Sequence, residues 1–166
     1  GGMGLVCTLG DLSTRMKAGR TFLKVAPGER ALPPVVTTGR THAACLSALG
    51  RILIFPLEEI RRLSAGGVGV SLMQLLASEK LVDLKAVDTR GVVVTGTGRG
   101  SKPREVLLAK KSFEDHLLHR ARRGKQLAAA WRAERLEALP PAEGGAGADV
   151  PAHHGVDLAA LAKDPA

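Results

Sequence analysis

The chain has 166 residues, room for one domain or for several small repeats sharing a core, and it carries 24 Lys and Arg against 16 Asp and Glu. The formal charge of +8 points to nucleic acid or another polyanion as partner. The only aromatic side chains are Phe22, Phe55, Phe113 and Trp131, with no tyrosine, which argues against a base-stacking path for single strands.

In chain order, residues 5–9 (LVCTL) predict a strand ended by a polar turn at Gly10-Asp11, and residues 21–26 (TFLKVA) predict another. Pro27-Gly28-Glu29-Arg30 is a turn by composition, and Val35-Val36 a short strand. Residues 42–48 and 51–55 flank Leu49-Gly50 as a tight hairpin closed by Pro56. A short helical turn over 57–64 carries Arg61 and Arg62, and strand patterns resume at 68–76, 81–87 and 91–95. The loop GTGRGSKP (96–103) leads into a strand at 104–109. Short strands between Gly and Pro turns make the class all-β.

From Gln126 the character changes. LAAAWRAERLEAL predicts a short helix ended by Pro140-Pro141, and the Ala/Gly/Pro composition of 140–166 predicts disorder. The division expected is therefore strand units over 1–127 and a tail over 128–166. Charge follows the same division: 21 basic against 10 acidic residues in 1–127, and 3 against 6 beyond. A start directly into a strand after Gly1-Gly2-Met3 suggests a fragment of a longer polypeptide.

A glycine flanked by basic residues leads into an apolar run three times. Aligned on Gly19, Gly67 and Gly124, the copies are 48 and 57 residues apart, near the period of one propeller blade. A basic turn repeated at one structural position suits a long polyanion. The candidate contacts are Arg15, Lys17 and Arg20 in the first copy, Arg61 and Arg62 in the lead-in of the second, and Arg120, Arg122, Arg123 and Lys125 in the third. Val68 stands where the other copies have Arg20 and Lys125. Arg51, and Arg99, Lys102 and Arg104 around the 96–103 loop, complete the set. That loop is not a nucleotide-binding phosphate loop, because Ser101 precedes Lys102 and Pro103 follows.

No constellation for catalysis emerges. His116 and His119 have helical spacing but no further ligands for a zinc site. His42 and Cys45, three apart on a strand, fall on opposite faces. Cys7 and Cys45 read as buried thiols in a reducing compartment, and no stretch is apolar enough to span a bilayer or to act as a signal peptide.

The stretches AACLSALGRILIFPLEEIRRLSAGGVGVSLMQL (43–75), VVVTGTGRGSKPREVLL (92–108) and RARRGKQL (120–127) resemble, over residues 5–127, the C-terminal DNA-binding domain of bacterial type IIA topoisomerases. The branch formed by the A subunit of topoisomerase IV is the nearer, and that of the gyrase A subunit the relative. The gyrase basic-glycine box is missing. The resemblance implies a β-pinwheel of four-stranded blades with a basic rim along which duplex DNA bends. It implies no chemistry in this region: the family's catalytic tyrosine lies in another part of the same polypeptide. No cofactor is expected in this chain, and ATP and Mg2+ are implied only for the full enzyme. The implied partners are duplex DNA, the rest of the A subunit, and the ATPase-bearing B subunit in a heterotetramer, in the cytoplasm at the nucleoid. Two readings compete: a basic propeller-like module binding an acidic protein, and an RNA-binding β module.

Overall fold

A computed structural model describes residues 1–127 and 130–142, and residues 156–159 as backbone. Its strands are β1 (Met3–Thr8), β2 (Val35–Val36), β3 (His42–Ser47), β4 (Arg51–Pro56), β5 (Val70–Ser71), β6 (Leu81–Val87), β7 (Val92–Thr97), β8 (Pro103–Leu108), β9 (Lys125–Gln126), β10 (Arg132–Ala138) and β11 (Val156–Ala159). Two short helices, α1 (Leu9–Leu12) and α2 (Lys111–His116), and two 3-10 turns, Leu57–Glu59 and Arg99–Ser101, join them.

The strands form three antiparallel sheets, here blades I to III. Blade I has the order β2-β11-β1-β5, blade II β6-β3-β4-β9 and blade III β10-β7-β8. Blade II has both faces covered, which is why its hairpin reads as two unbroken apolar runs. Ala43, Cys45, Leu53 and Phe55 face a core shared with Ile60, Leu72, Met73, Leu81 and Leu84, against which Val6, Val35 and Val70 of blade I pack. Their neighbours Ala44, Leu46, Ile52 and Ile54 point the other way, into a core with Val87 of β6 and with Val92, Val94, Leu108 and Leu136 of blade III. The period-2 alternation of a strand thus glues one blade to two others.

The connections cross between blades. After the β3–β4 hairpin the chain returns to blade I, where Arg62 bridges Val6 in parallel and β5 pairs with Met3 and Gly4. It then crosses to blade II as β6, opposite β3. The next unit repeats the route: after β7 and β8, Leu117 bridges Ile54, β9 pairs with Arg51 and Ile52, and the chain crosses to blade III as β10. The strand at one edge of a blade therefore leads into the strand at the opposite edge of the next.

Several expectations need correction. Residues 21–26 form no strand: only Leu23 pairs, in a single parallel bridge to Gly67. In 68–76 the strand shrinks to β5, because Gly66, Gly67 and Gly69 all take positive φ. The helix predicted around 126–139 is the strand β10. Its Ala133 and Leu136 are buried in the core between blades II and III, and pairing with β7 overrides the helical propensity of Ala, Leu and Glu. Residues 128–129 lie outside the described residues. In the tail read as disordered, Val156–Ala159 is a strand, while 143–155 and 160–166 lie outside the described residues. The α2 helix, which no sequence expectation covered, carries Ser112 in its first turn, whose hydroxyl bonds both the N–H and the C=O of Ala109.

Candidate nucleic-acid interface

Hydrogen-bond register, rather than sequence, fixes which residues of the units correspond. Val70 opposes Gly4 at the edge of blade I, and Lys125 opposes Ile52 at the edge of blade II. Arg62 and Leu117 occupy matching bridges to Val6 and Ile54. Both comparisons give an offset of 55 residues, so Gly124 (φ 72°) corresponds to Gly69 (φ 85°), two residues beyond the Gly67 of the sequence alignment. The first copy follows by the same logic. Lys24 N–H donates to Gly67 and Gln74 N–H to Arg122, an offset of 50 that equates Gly19 (φ 70°) with Gly69. The positive φ at all three turns is what glycine supplies without strain. Close approach adds a second reason: a Cβ on Gly69 or Gly124 would stand 2.2 Å from the Gly4 carbonyl oxygen or 2.6 Å from that of Ile52.

This register changes the charge map. The third turn carries Arg120, Arg122, Arg123 and Lys125, and the first Arg15, Lys17 and Arg20. The middle turn places Ala65, Gly67, Val68 and Val70 at those positions, so it is neutral throughout rather than lacking one cation. Val68 corresponds to Arg123, and it is Val70 that stands where Arg20 and Lys125 do. Arg61 and Arg62 answer to His116 and Leu117, four and three residues ahead of the turn proper.

Among the candidates, Arg15, Lys17, Arg61, Arg99, Lys102, Arg104, Arg122, Arg123 and Lys125 are exposed, and none of their side chains bonds or pairs with another described residue. The β7–β8 turn carrying Arg99, Lys102 and Arg104 is the blade III counterpart of the β3–β4 turn. The latter sits beside β9, where Gln126 Nε2 donates to Leu49 and Leu127 N–H to Gly50. The fold thus carries these two basic clusters at corresponding ends of adjacent blades. The remaining candidates are tied down. Arg20 donates to the Asp11 carbonyl and lies 5.3 Å over the Phe22 ring. Arg62 pairs with Asp11 at 3.4 Å. Arg51 is half-buried and donates to the Gly124 carbonyl at 3.2 Å, bracing the turn.

Arg120 is also half-buried and structural. Its Nη1 donates to the Ser71 carbonyl, and its N–H donates to Glu59 Oε2 at 2.6 Å. His119 Nδ1 lies 2.9 Å from the other Glu59 oxygen. Burial opposes the charge on Glu59, but the N–H of Arg120 and the His119 ring outweigh it and hold the carboxyl below its usual range. His116 turns the other way, buried with Nδ1 on the Ser112 carbonyl, so the two histidines do not converge. Among the described residues no cluster of three or more His, Cys, Asp or Glu could hold a metal ion.

Sequence reasoning missed two features. Lys24, exposed, carries a cation beside the neutral turn through its backbone bond to Gly67; a residue five beyond the glycine is the signal that could have found it. The other is the Arg40–Asp88–Arg90 clamp. Both guanidinium groups reach Asp88 at 2.8 Å, while Arg40 also donates to Leu139 and Arg90 to Pro140, fastening the end of β10. Hydrogen bonds from Arg90, then Arg40, hold the Asp88 carboxyl down at about 2.

Comparison with known proteins places this arrangement. Residues 42–88 match the family model described as DNA gyrase C-terminal domain, beta-propeller. In fold, the chain is similar to the E. coli ParC C-terminal domain, with a TM-score of 0.69 at 24% identity over 82% of this chain and 56% of that one. A DNA gyrase A C-terminal domain follows at 0.60, with 17% identity, over 83% and 48%. The fold these likenesses define is a β-pinwheel, similar to that of the ParC and gyrase A C-terminal domains, as the sequence resemblance indicated.

The particular relative that recurs is the A subunit of DNA topoisomerase 4. The Escherichia coli K12 protein is 25% identical over 153 residues, covering 88% of this chain, and the Neisseria gonorrhoeae protein 28% over 105 residues, covering 60%. The chain spans about a fifth of the first of these relatives and 14% of the second. No helix among the described residues is long and apolar enough to cross a membrane.

Proposed function

We propose that this chain is a non-catalytic module that engages and bends duplex DNA through its phosphates. As part of the A subunit of a topoisomerase IV, it would support ATP-dependent strand passage, relaxation and decatenation by the complete enzyme. The observation that supports the reading is that two of the three positive-φ glycine turns, those at Gly19 and Gly124, and the β7–β8 turn carry exposed cations that bond no other described residue. Lysines and arginines that spend no charge on internal carboxylates are free to displace counterions from a polyanion. Among the described residues nothing resembles a base-reading helix or ribbon, which favours a weak sequence preference.

Bending a 20–30 bp site costs on the order of 1–6 kcal/mol, which phosphate contacts at successive blades offset. The rest of the A subunit, with the ATPase-bearing B subunit, forms the proposed heterotetramer, in the cytoplasm at the nucleoid. ATP and Mg2+ belong, in this reading, to the complete enzyme; the 96–103 loop leads from Lys102 into a strand, whereas a nucleotide-binding phosphate loop leads into a helix.

The test is charge reversal of Arg122 and Arg123 to Glu, read by gel shift at low salt with linear duplex. About 10-fold weaker binding or more is expected, since two contacts become two repulsions. Unchanged affinity overturns the reading. Competition by an acidic polypeptide better than by duplex DNA would instead favour a protein partner.

A further inference from the structure

Blades I and II order their strands alike. With β1 answering to β4 and β5 to β9, the strand Val156–Ala159 holds the place in blade I that β3 holds in blade II. Yet β3 is joined to β4 by a tight turn, whereas β11 arrives from the far end of the sequence. It lies antiparallel to β1, with Leu5 opposite Ala159, Val6 opposite Leu158, Cys7 opposite Asp157 and Thr8 opposite Val156. On its other side it meets the two-residue β2, Asp157 against Val36 and Leu158 against Val35.

We propose that the slot between β1 and β2 is a strand-acceptor site and that residues 156–159 are an exchangeable donor strand that completes blade I. The segment joining β10 to β11 is rich in Ala, Gly and Pro and offers few bulky side chains as anchors. The strand Val156–Ala159 itself is held by a short main-chain ladder, the kind of bond by which extended peptides add to a sheet edge. An open β1 edge would otherwise present unpaired N–H and C=O groups.

The ladder also says which amides depend on the donor. Val6 uses its own N–H and C=O on the opposite side, donating to Arg61 at 3.3 Å and accepting from Leu63 at 2.9 Å. Strand alternation turns the amides of Leu5 and Cys7 towards β11.

Hydrogen exchange on the full chain carrying Leu158→Pro tests this, since proline cannot hold a central strand position. Exchange at Leu5 and Cys7 should accelerate at least about tenfold while Val6 and the β3–β4 hairpin stay protected. A synthetic peptide of residues 152–163 should restore the protection. Unchanged exchange at Leu5 and Cys7, equal loss at Val6, or no recovery with peptide overturns the proposal. A second variant does not rely on breaking the strand. Asp157→Cys stands opposite Cys7, within the spacing of a cross-strand disulfide, and should cross-link to it on treatment with oxidised glutathione. Excess peptide should lower that yield. No cross-link, or a yield indifferent to peptide, likewise overturns it.

Discussion

Val68→Arg installs, at the neutral middle turn, the residue that its counterpart Arg123 supplies in the next unit. Val68 is 52% exposed, so the change costs little packing. Val70, the counterpart of Lys125, packs on the core shared by blades I and II and is the poorer site. One added phosphate contact steepens the dependence of log K on log salt by about 0.9, so the variant should lose about 3.5-fold more affinity than the parent between 50 and 200 mM salt. At 0.1 M salt the same contact raises affinity by up to about eightfold. Fluorescence anisotropy with a 30 bp duplex across that range measures both quantities, with Val68→Gln as a size-matched neutral control. An unchanged slope, or an equal gain in the Gln variant, would refute the claim that this turn faces the duplex.

Three other outcomes concern stability. Ala121 sits at φ 62°, where its counterpart is Gly66 at φ 76°. Ala121→Gly should therefore stabilise the fold by about 1 kcal/mol, visible as a rise in Tm. Arg120→Gln should cost about 1–3 kcal/mol in urea denaturation by releasing Ser71, with DNA affinity falling less than in the Arg122/Arg123 reversal. The depressed carboxyl of Asp88 contributes stability that is fully present above its unfolded value of 3.8 and is lost as pH falls towards about 2. A pH series of thermal melts should show that loss between about pH 4 and 2, with no matching change from pH 5 to 8, and Asp88→Asn should flatten it.

The sequence made the β3–β4 hairpin of blade II legible because both of its faces are apolar and its turn is Leu49-Gly50. The limits of β6 were legible for a similar reason: Leu81, Leu84, Ala86 and Val87 are all buried. β10 was not, because Ala, Glu and Leu favour helix locally and only β7 supplies the partner that makes the segment extended. The cationic turns could be found by composition, but their register could not. Three glycines within four residues, Gly66, Gly67 and Gly69, offer alternative alignments, and only the pairing of Val70 with Gly4 chooses among them. Arg51 and Arg120 look like any other surface cations in sequence. Their tethering to the Gly124 and Ser71 carbonyls depends on contacts 73 and 49 residues away.

The passage from β5 into β6, and from β9 into β10, has a mechanical corollary. A load applied where β5 or β9 ends is carried along covalent backbone to the far edge strand of the adjoining blade, not merely across a packed boundary. Excising blade II would sever both threads and strand its two neighbours at once, so the body should yield as one piece under tension.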